Sequence, residues 1–140
     1  MTIMISPIRY LNEKIRSLIS IGEQGSPATN MGPNDFSIRW SGFVDIPTTG
    51  TYTFTTNTDD GLRLWVNGKM ILDFWVPQAP TERAASIDLT GGERVAIEMD
   101  YYELGGGAVA QLLWEGPWHC ETDHTECKPF SLPINPPATI

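Results

Sequence analysis

Basic residues are scarce in this chain. Nine Lys and Arg stand against seventeen Asp and Glu, a formal net charge of -8. That balance argues against nucleic acid as a partner, because phosphates reward clustered Lys and Arg, and against an anionic membrane surface. An acidic surface serves either solubility or cation binding, and composition by itself favours solubility. Long apolar runs are missing too. None approaches the roughly 20 residues of a membrane span, so no membrane insertion is expected. Met1-Thr2-Ile3-Met4-Ile5 has neither the charged flank nor the long apolar stretch of a secretory signal peptide. The chain as given reads as soluble, and nothing in it conflicts with a place inside a larger secreted protein.

Catalytic signatures are also lacking. There is no G-x-S-x-G, no H-E-x-x-H and no phosphate-binding loop, and the two histidines, His119 and His124, both lie in the tail. A neighbouring carboxylate pair, Asp59 and Asp60, is poorly placed for glycoside hydrolysis, which needs its two carboxyl groups roughly 5–9.5 Å apart across a cleft. A small metal-dependent hydrolase is therefore the weakest reading, and the chain is expected not to be an enzyme.

What is present in quantity is turn chemistry and aromatic residues. Thirteen Gly and eleven Pro leave little room for long helix, and five Trp, four Tyr and five Phe suit strands. Residues 1–21 are ambiguous: Leu11, Ile15, Leu18 and Ile19 have helical spacing, whereas Ile3, Ile5 and Ile8 read as extended. Residues 22–35 form a loop by composition. From Phe36 the period becomes two. Phe36, Ile38 and Trp40 alternate with polar neighbours, as do Tyr52 and Phe54 within Thr51–Thr56. Leu62, Leu64 and Val66 share a face, and Asn67-Gly68 marks a tight hairpin because both turn positions favour positive φ. Lys69–Asp73, Ser86–Leu89, Glu93–Tyr102 and Ala108–Trp114 complete seven or so strands. The chain is expected to be one all-β domain over residues 1–140, an antiparallel β-sandwich or jelly-roll-like barrel.

Five segments occur in order at close spacing: Phe36-Ser-Ile-Arg-Trp-Ser-Gly42, Gly50-Thr-Tyr-Thr-Phe54, Asp59-Asp-Gly-Leu-Arg-Leu-Trp-Val-Asn-Gly68, Leu89-Thr-Gly-Gly92 and Tyr101-Tyr-Glu103. Together they resemble the PA-fourteen family over residues 20–118. The resemblance implies a β-sandwich module of the kind found in bacterial glycosidases, adhesins, flocculins and toxins, several of which bind sugars, some through Ca²⁺. It implies that Asp59 and Asp60, joined by a cis peptide, hold the ion with Glu103 and the carbonyls of Gly105 and Gly107. On this basis the expected function is a carbohydrate-binding module, calcium-assisted and appended to a larger extracellular enzyme or adhesin. The alternative is a structural or protein-interaction module of the same fold that binds no sugar. The family's usual opening strand has no good match before Ser20. An edge left bare there would invite association into a homo-oligomer.

The chemistry of the acidic pair is consistent with either reading. Ca²⁺ takes six to eight oxygen ligands, chiefly carboxylates and carbonyls, while Asp-Asp-Gly alone is good turn chemistry. For a glycan ligand, Asp59, Asp60, Trp75, Gln78 and Trp118 are the candidate contacts, since sugars stack on exposed aromatic rings. Trp40 and Trp114 are assigned to the core. In the tail, Cys120 and Cys127 with His119 and His124 have the residue types of a zinc site, but their spacing matches no common one. A Cys120–Cys127 disulfide closing a small extracellular loop is preferred.

Overall fold

The computed structural model describes residues 2–4, 20–21 and 32–117. Nine strands occur among them: β1 (Thr2–Met4), β2 (Ser20–Ile21), β3 (Phe36–Asp45), β4 (Gly50–Asp59), β5 (Leu62–Val66), β6 (Lys69–Phe74), β7 (Thr81–Leu89), β8 (Arg94–Glu103) and β9 (Val109–Glu115). They form two sheets, ordered β1-β3-β8-β5-β6 and β2-β9-β4-β7. All pairings are antiparallel except the short β1–β3 pair. The all-β sandwich expected from the two-residue period is the architecture observed.

The period that defines each strand also sorts its side chains. Ile38, Trp40 and Val44 of β3, Leu62, Leu64 and Val66 of β5, and Val95, Ile97, Met99 and Tyr101 of β8 point inward from one sheet. Tyr52 and Phe54 of β4 and Ala110 and Leu112 of β9 meet them from the other. Each fully buried side chain of this size contributes roughly 1.5–3 kcal/mol, so the alternation accounts for both the sheets and their packing. Trp40 is buried as expected, and Trp114 is partly buried with its ring stacked 5.5 Å from Tyr52. Asn67 (φ 53°) and Gly68 (φ 74°) make the tight β5–β6 turn, the left-handed conformation their types favour.

Two strands are longer than the apolar pattern suggests. In β4 the inward row continues past Phe54 with Thr56 and Thr58, both fully buried, so its apolar signal stops before the strand does. Strand β7 begins at Thr81, five residues earlier than expected. It lies at a sheet edge, half exposed along its length, and Glu82, Arg83 and Ala84 have little strand preference of their own. The edge expected to be bare is not: Ser20 and Ile21 pair with Gln111 and Ala110 of β9, and β1 pairs with β3. Trp118, Cys120 and Cys127, with His119 and His124, lie outside the described residues.

Candidate metal centre

Strands β4 and β8 belong to different sheets, yet they end side by side. Asp59 closes β4, Asp60 occupies the turn that follows, and Glu103 closes β8. One carboxylate oxygen from each of the three lies within 4.8 Å of the others. The Asp59–Asp60 peptide is cis. The turn is anchored to β8 by backbone bonds, Asp60 N–H to the Tyr102 carbonyl (3.3 Å) and Tyr102 N–H to the Gly61 carbonyl (3.1 Å). Gly61 is required for this approach, since a methyl group there would run into the Tyr102 ring.

Each carboxylate is held differently. Asp60, nearly buried, accepts from the backbone N–H of Gln78 (3.0 Å) on one oxygen and of Leu104 (2.9 Å) on the other. The Tyr101 hydroxyl donates to the Asp59 carbonyl and lies 3.2 Å from Glu103 Oε2. Glu103 is 0% exposed, and its Oε1 has no hydrogen-bond partner. A buried carboxylate oxygen left unsatisfied costs at least about 1–3 kcal/mol.

The electrostatics follow from this crowding. Burial holds the Asp59 carboxyl above its ordinary range, with the Asp60 charge adding to the effect. Burial likewise raises Glu103. The Tyr101 hydroxyl opposes that rise, the Asp60 and Asp59 charges reinforce it, and the Gly105 backbone opposes it. Tyr101 is raised by burial first and by the Glu103 charge second. All these shifts describe a place where negative charge is concentrated and a positive ion would be welcome. The donors are hard oxygens alone, without nitrogen or sulfur, which fits Ca²⁺ or Mg²⁺ better than a softer metal. The orphaned Glu103 oxygen is the group such an ion would satisfy.

The remaining sequence candidates fall around this notch. Gly105 and Gly107 lie on the loop after Glu103, and Gly105 reaches the cluster through its backbone. Trp75 packs edge-on against Tyr102 (4.6 Å), and the Arg63 guanidinium lies 4.8 Å from the Trp75 ring centre. Gln78 is engaged at its backbone N–H and at both polar atoms of its side chain, by Thr58, Asp60 and Arg83. Three contributors were not foreseen. Tyr101 belongs to a strand and to the Tyr101-Tyr-Glu103 segment, neither of which marks its hydroxyl as a support, Leu104 contributes its backbone alone, and Arg83 lies in a segment whose pattern gives no sign of a strand.

A family model described as the PA14 domain matches residues 16–126. Among curated proteins, the anti-sigma-I factor RsgI3 of Acetivibrio thermocellus is 42% identical over 91 residues, 65% of this chain and 14% of that protein. A solved anti-sigma factor domain-containing protein superposes with a TM-score of 0.67 at 37% identity, covering 79% of this chain and 38% of its own. The chain thus spans about one seventh of the curated relative and well under half of the solved one. The PA14 sugar-binding domain of an RTX adhesin superposes with a TM-score of 0.59 at 21% identity, over 76% of this chain and 68% of its own, a likeness of fold alone.

These relatives overturn the carbohydrate-binding function expected from the sequence. The likeness that extends to sequence, at 42% and 37% identity, is to anti-sigma factor proteins rather than to sugar binders. The physical reason is that the signature residues build a sandwich and an acidic notch. Neither specifies what docks beside them.

Proposed function

The chain belongs to the PA14 domain family, and on that premise we propose that it is a protein-interaction module of a larger anti-sigma-factor-type regulator, holding Ca²⁺ at its strand tips. It is not an enzyme: the family match and the regulator relatives are non-catalytic. The observation that carries the regulatory reading is the 42% identity over 91 residues with an anti-sigma-I factor, of which this chain spans only 14%. A module of that proportion is one part of a regulator, and residues 1–140 would form it as a single domain.

The acidic notch supports the calcium assignment. Asp59, Asp60 and Glu103 would supply carboxylates, with the carbonyls of Gly105 and Gly107 as further oxygens. Bound Ca²⁺ would neutralise charge that the fold leaves unbalanced. The chain's own residues do the positioning: the N–H groups of Gln78 and Leu104 orient Asp60, and the Tyr101 hydroxyl, donating to the Asp59 carbonyl, fixes the backbone of the turn beside Glu103. Three carboxylates with backbone carbonyls are a ligand set of the kind Ca²⁺ takes. On this reading the module lies outside the cell, where a Cys120–Cys127 disulfide would persist.

A protein partner is supported by the rim. Trp75 (37% exposed), Val76 (49%) and Leu104 (52%) are large apolar side chains left open to solvent. Tyr102 packs against Trp75, and Leu104 N–H bonds Asp60. Exposed apolar groups on the segments that flank the notch are the kind that contact surfaces use. The test is a reporter driven by the cognate sigma factor, in cells carrying the full-length regulator. Removing this module, or substituting Asp59→Ala with Asp60→Ala, is expected to abolish the calcium-dependent response. A reporter indifferent to both changes sinks the reading, and calcium-dependent retention on a glycan array would reinstate the sugar ligand.

A further inference from the structure

The crossover from β6 to β7 (residues 75–80) passes from the edge of one sheet to the edge of the other, over the acidic notch. Gln78 lies within it. Its backbone N–H donates to Asp60 Oδ1 (3.0 Å). Its side-chain Nε2 donates among the Thr58 hydroxyl (3.1 Å), the Thr58 carbonyl (3.3 Å) and the Asp60 carbonyl (3.0 Å). Its Oε1 accepts from Arg83 Nη2 (3.1 Å). The amide can face only one way, because turning it over would set its oxygen against two carbonyls and lose Arg83. Arg83 is held by its neighbours, although its buried Nε has no hydrogen-bond partner among the described residues. Its guanidinium carbon lies 3.6 Å from the centre of the Phe74 ring, and its carbonyl accepts from the buried Thr56 hydroxyl (3.3 Å).

We propose that Arg83 is a positioning residue for the cation site, acting through Gln78 to hold the Asp59–Asp60 turn in its binding geometry. The inference rests on the cation-holding reading given above. Arg83 touches none of the three carboxylates in any described contact; it orients the amide that grips both Thr58 and Asp60. Residues of this kind commonly change metal affinity by 10–100-fold when lost. Simple electrostatics makes the opposite prediction. Arg83 is a positive charge one residue removed from Asp60, so deleting it should favour a bound cation, and Gln78→Glu should favour it further by adding a carboxylate. The two accounts therefore differ in sign.

The experiment is calorimetric titration of the full chain with Ca²⁺ for the wild type, Arg83→Gln, Gln78→Glu, Gln78→Ala and the Arg83→Gln/Gln78→Ala double variant. Each is paired with a melting curve taken in chelator. Arg83→Gln and Gln78→Glu are expected to weaken calcium binding by about tenfold or more, although both make the site more negative. The double variant is expected to lose no more than Gln78→Ala alone, since Arg83 acts through that amide. Binding in Arg83→Gln equal to or tighter than wild type overturns the proposal, as does a double variant whose loss is the product of the single losses. If Arg83→Gln fails to melt cooperatively, Gln78→Glu decides the sign. No calcium heat from the folded wild type would instead remove the cation reading itself.

Discussion

Glu103→Gln should stabilise the cation-free protein and weaken the calcium-bound one. The side chain is fully buried, one oxygen has no partner, and two other carboxylates lie within 4.8 Å of it. Two unit charges about 4.8 Å apart repel by roughly 3 kcal/mol at an effective dielectric near 20. Solvent at the half-buried Asp59 and partial protonation of the cluster reduce this, leaving about 1–2 kcal/mol to be recovered by an uncharged amide of the same shape. For a chain of this size that is a rise in melting temperature of roughly 3–8 °C in chelator. With Ca²⁺ at about a hundred times its Kd, the wild type gains about 2.7 kcal/mol by linkage. The variant, lacking one ligand, gains much less, so the order of the two melting curves reverses. Differential scanning calorimetry with and without calcium measures both. A Glu103→Gln protein that melts below wild type in chelator, or that rises equally with calcium, would refute the argument that this carboxylate is an unbalanced charge awaiting a cation.

The same crowding sets a pH dependence. Asp59 and Glu103 titrate above their ordinary values of 3.8 and 4.5, so the cation-free fold binds protons more tightly than the unfolded chain. Their stabilising effect is full below those ordinary values and is lost as pH rises through the raised ones. Calcium affinity should fall as pH drops through the same window, and a calorimetric Kd constant down to pH 4 would contradict this. Tyr101→Phe removes the donor to the Asp59 carbonyl, which should cost about 1 kcal/mol in urea unfolding and weaken calcium binding as well. Gly61→Ala should destabilise by about 1–3 kcal/mol, because the added methyl meets the Tyr102 ring rather than open space. Unchanged stability in that variant would mean the turn does not lie against β8 as described.

Much of the fold was legible because each strand buries one face. Phe36, Ile38 and Trp40, the Asn67-Gly68 turn, and the run from Val95 to Tyr101 carry the code directly. It fails where the buried face is polar. Thr56 and Thr58 continue the inward row of β4 without an apolar signal, and β7 opens on residues that gain their extended form by pairing with β4. In the notch, the three carboxylates could be named from motif resemblance. Their supports could not. A tyrosine hydroxyl at the end of an apolar row and an arginine on an edge strand acquire their roles only when two sheets close over each other.

The misread function has a related cause. The recognisable segments lie on strands and the turns that join them, and these suffice to bring Asp59, Asp60 and Glu103 within 4.8 Å of one another. A partner approaching this end of the sandwich meets other residues first. Trp75 and Val76 on the crossover and Leu104 after β8 are the exposed apolar groups there. Little of that rim is written in the alternation that reveals the sandwich, so one scaffold can carry rims of different chemistry. The adhesin domain at 21% identity and the regulator relatives at 37% and 42% share the scaffold and differ in what their names record as function. The scaffold is thus separable from partner choice. Under the proposed reading, selectivity in this module should therefore follow the loops 75–80 and 104–107 rather than the acidic residues beneath them.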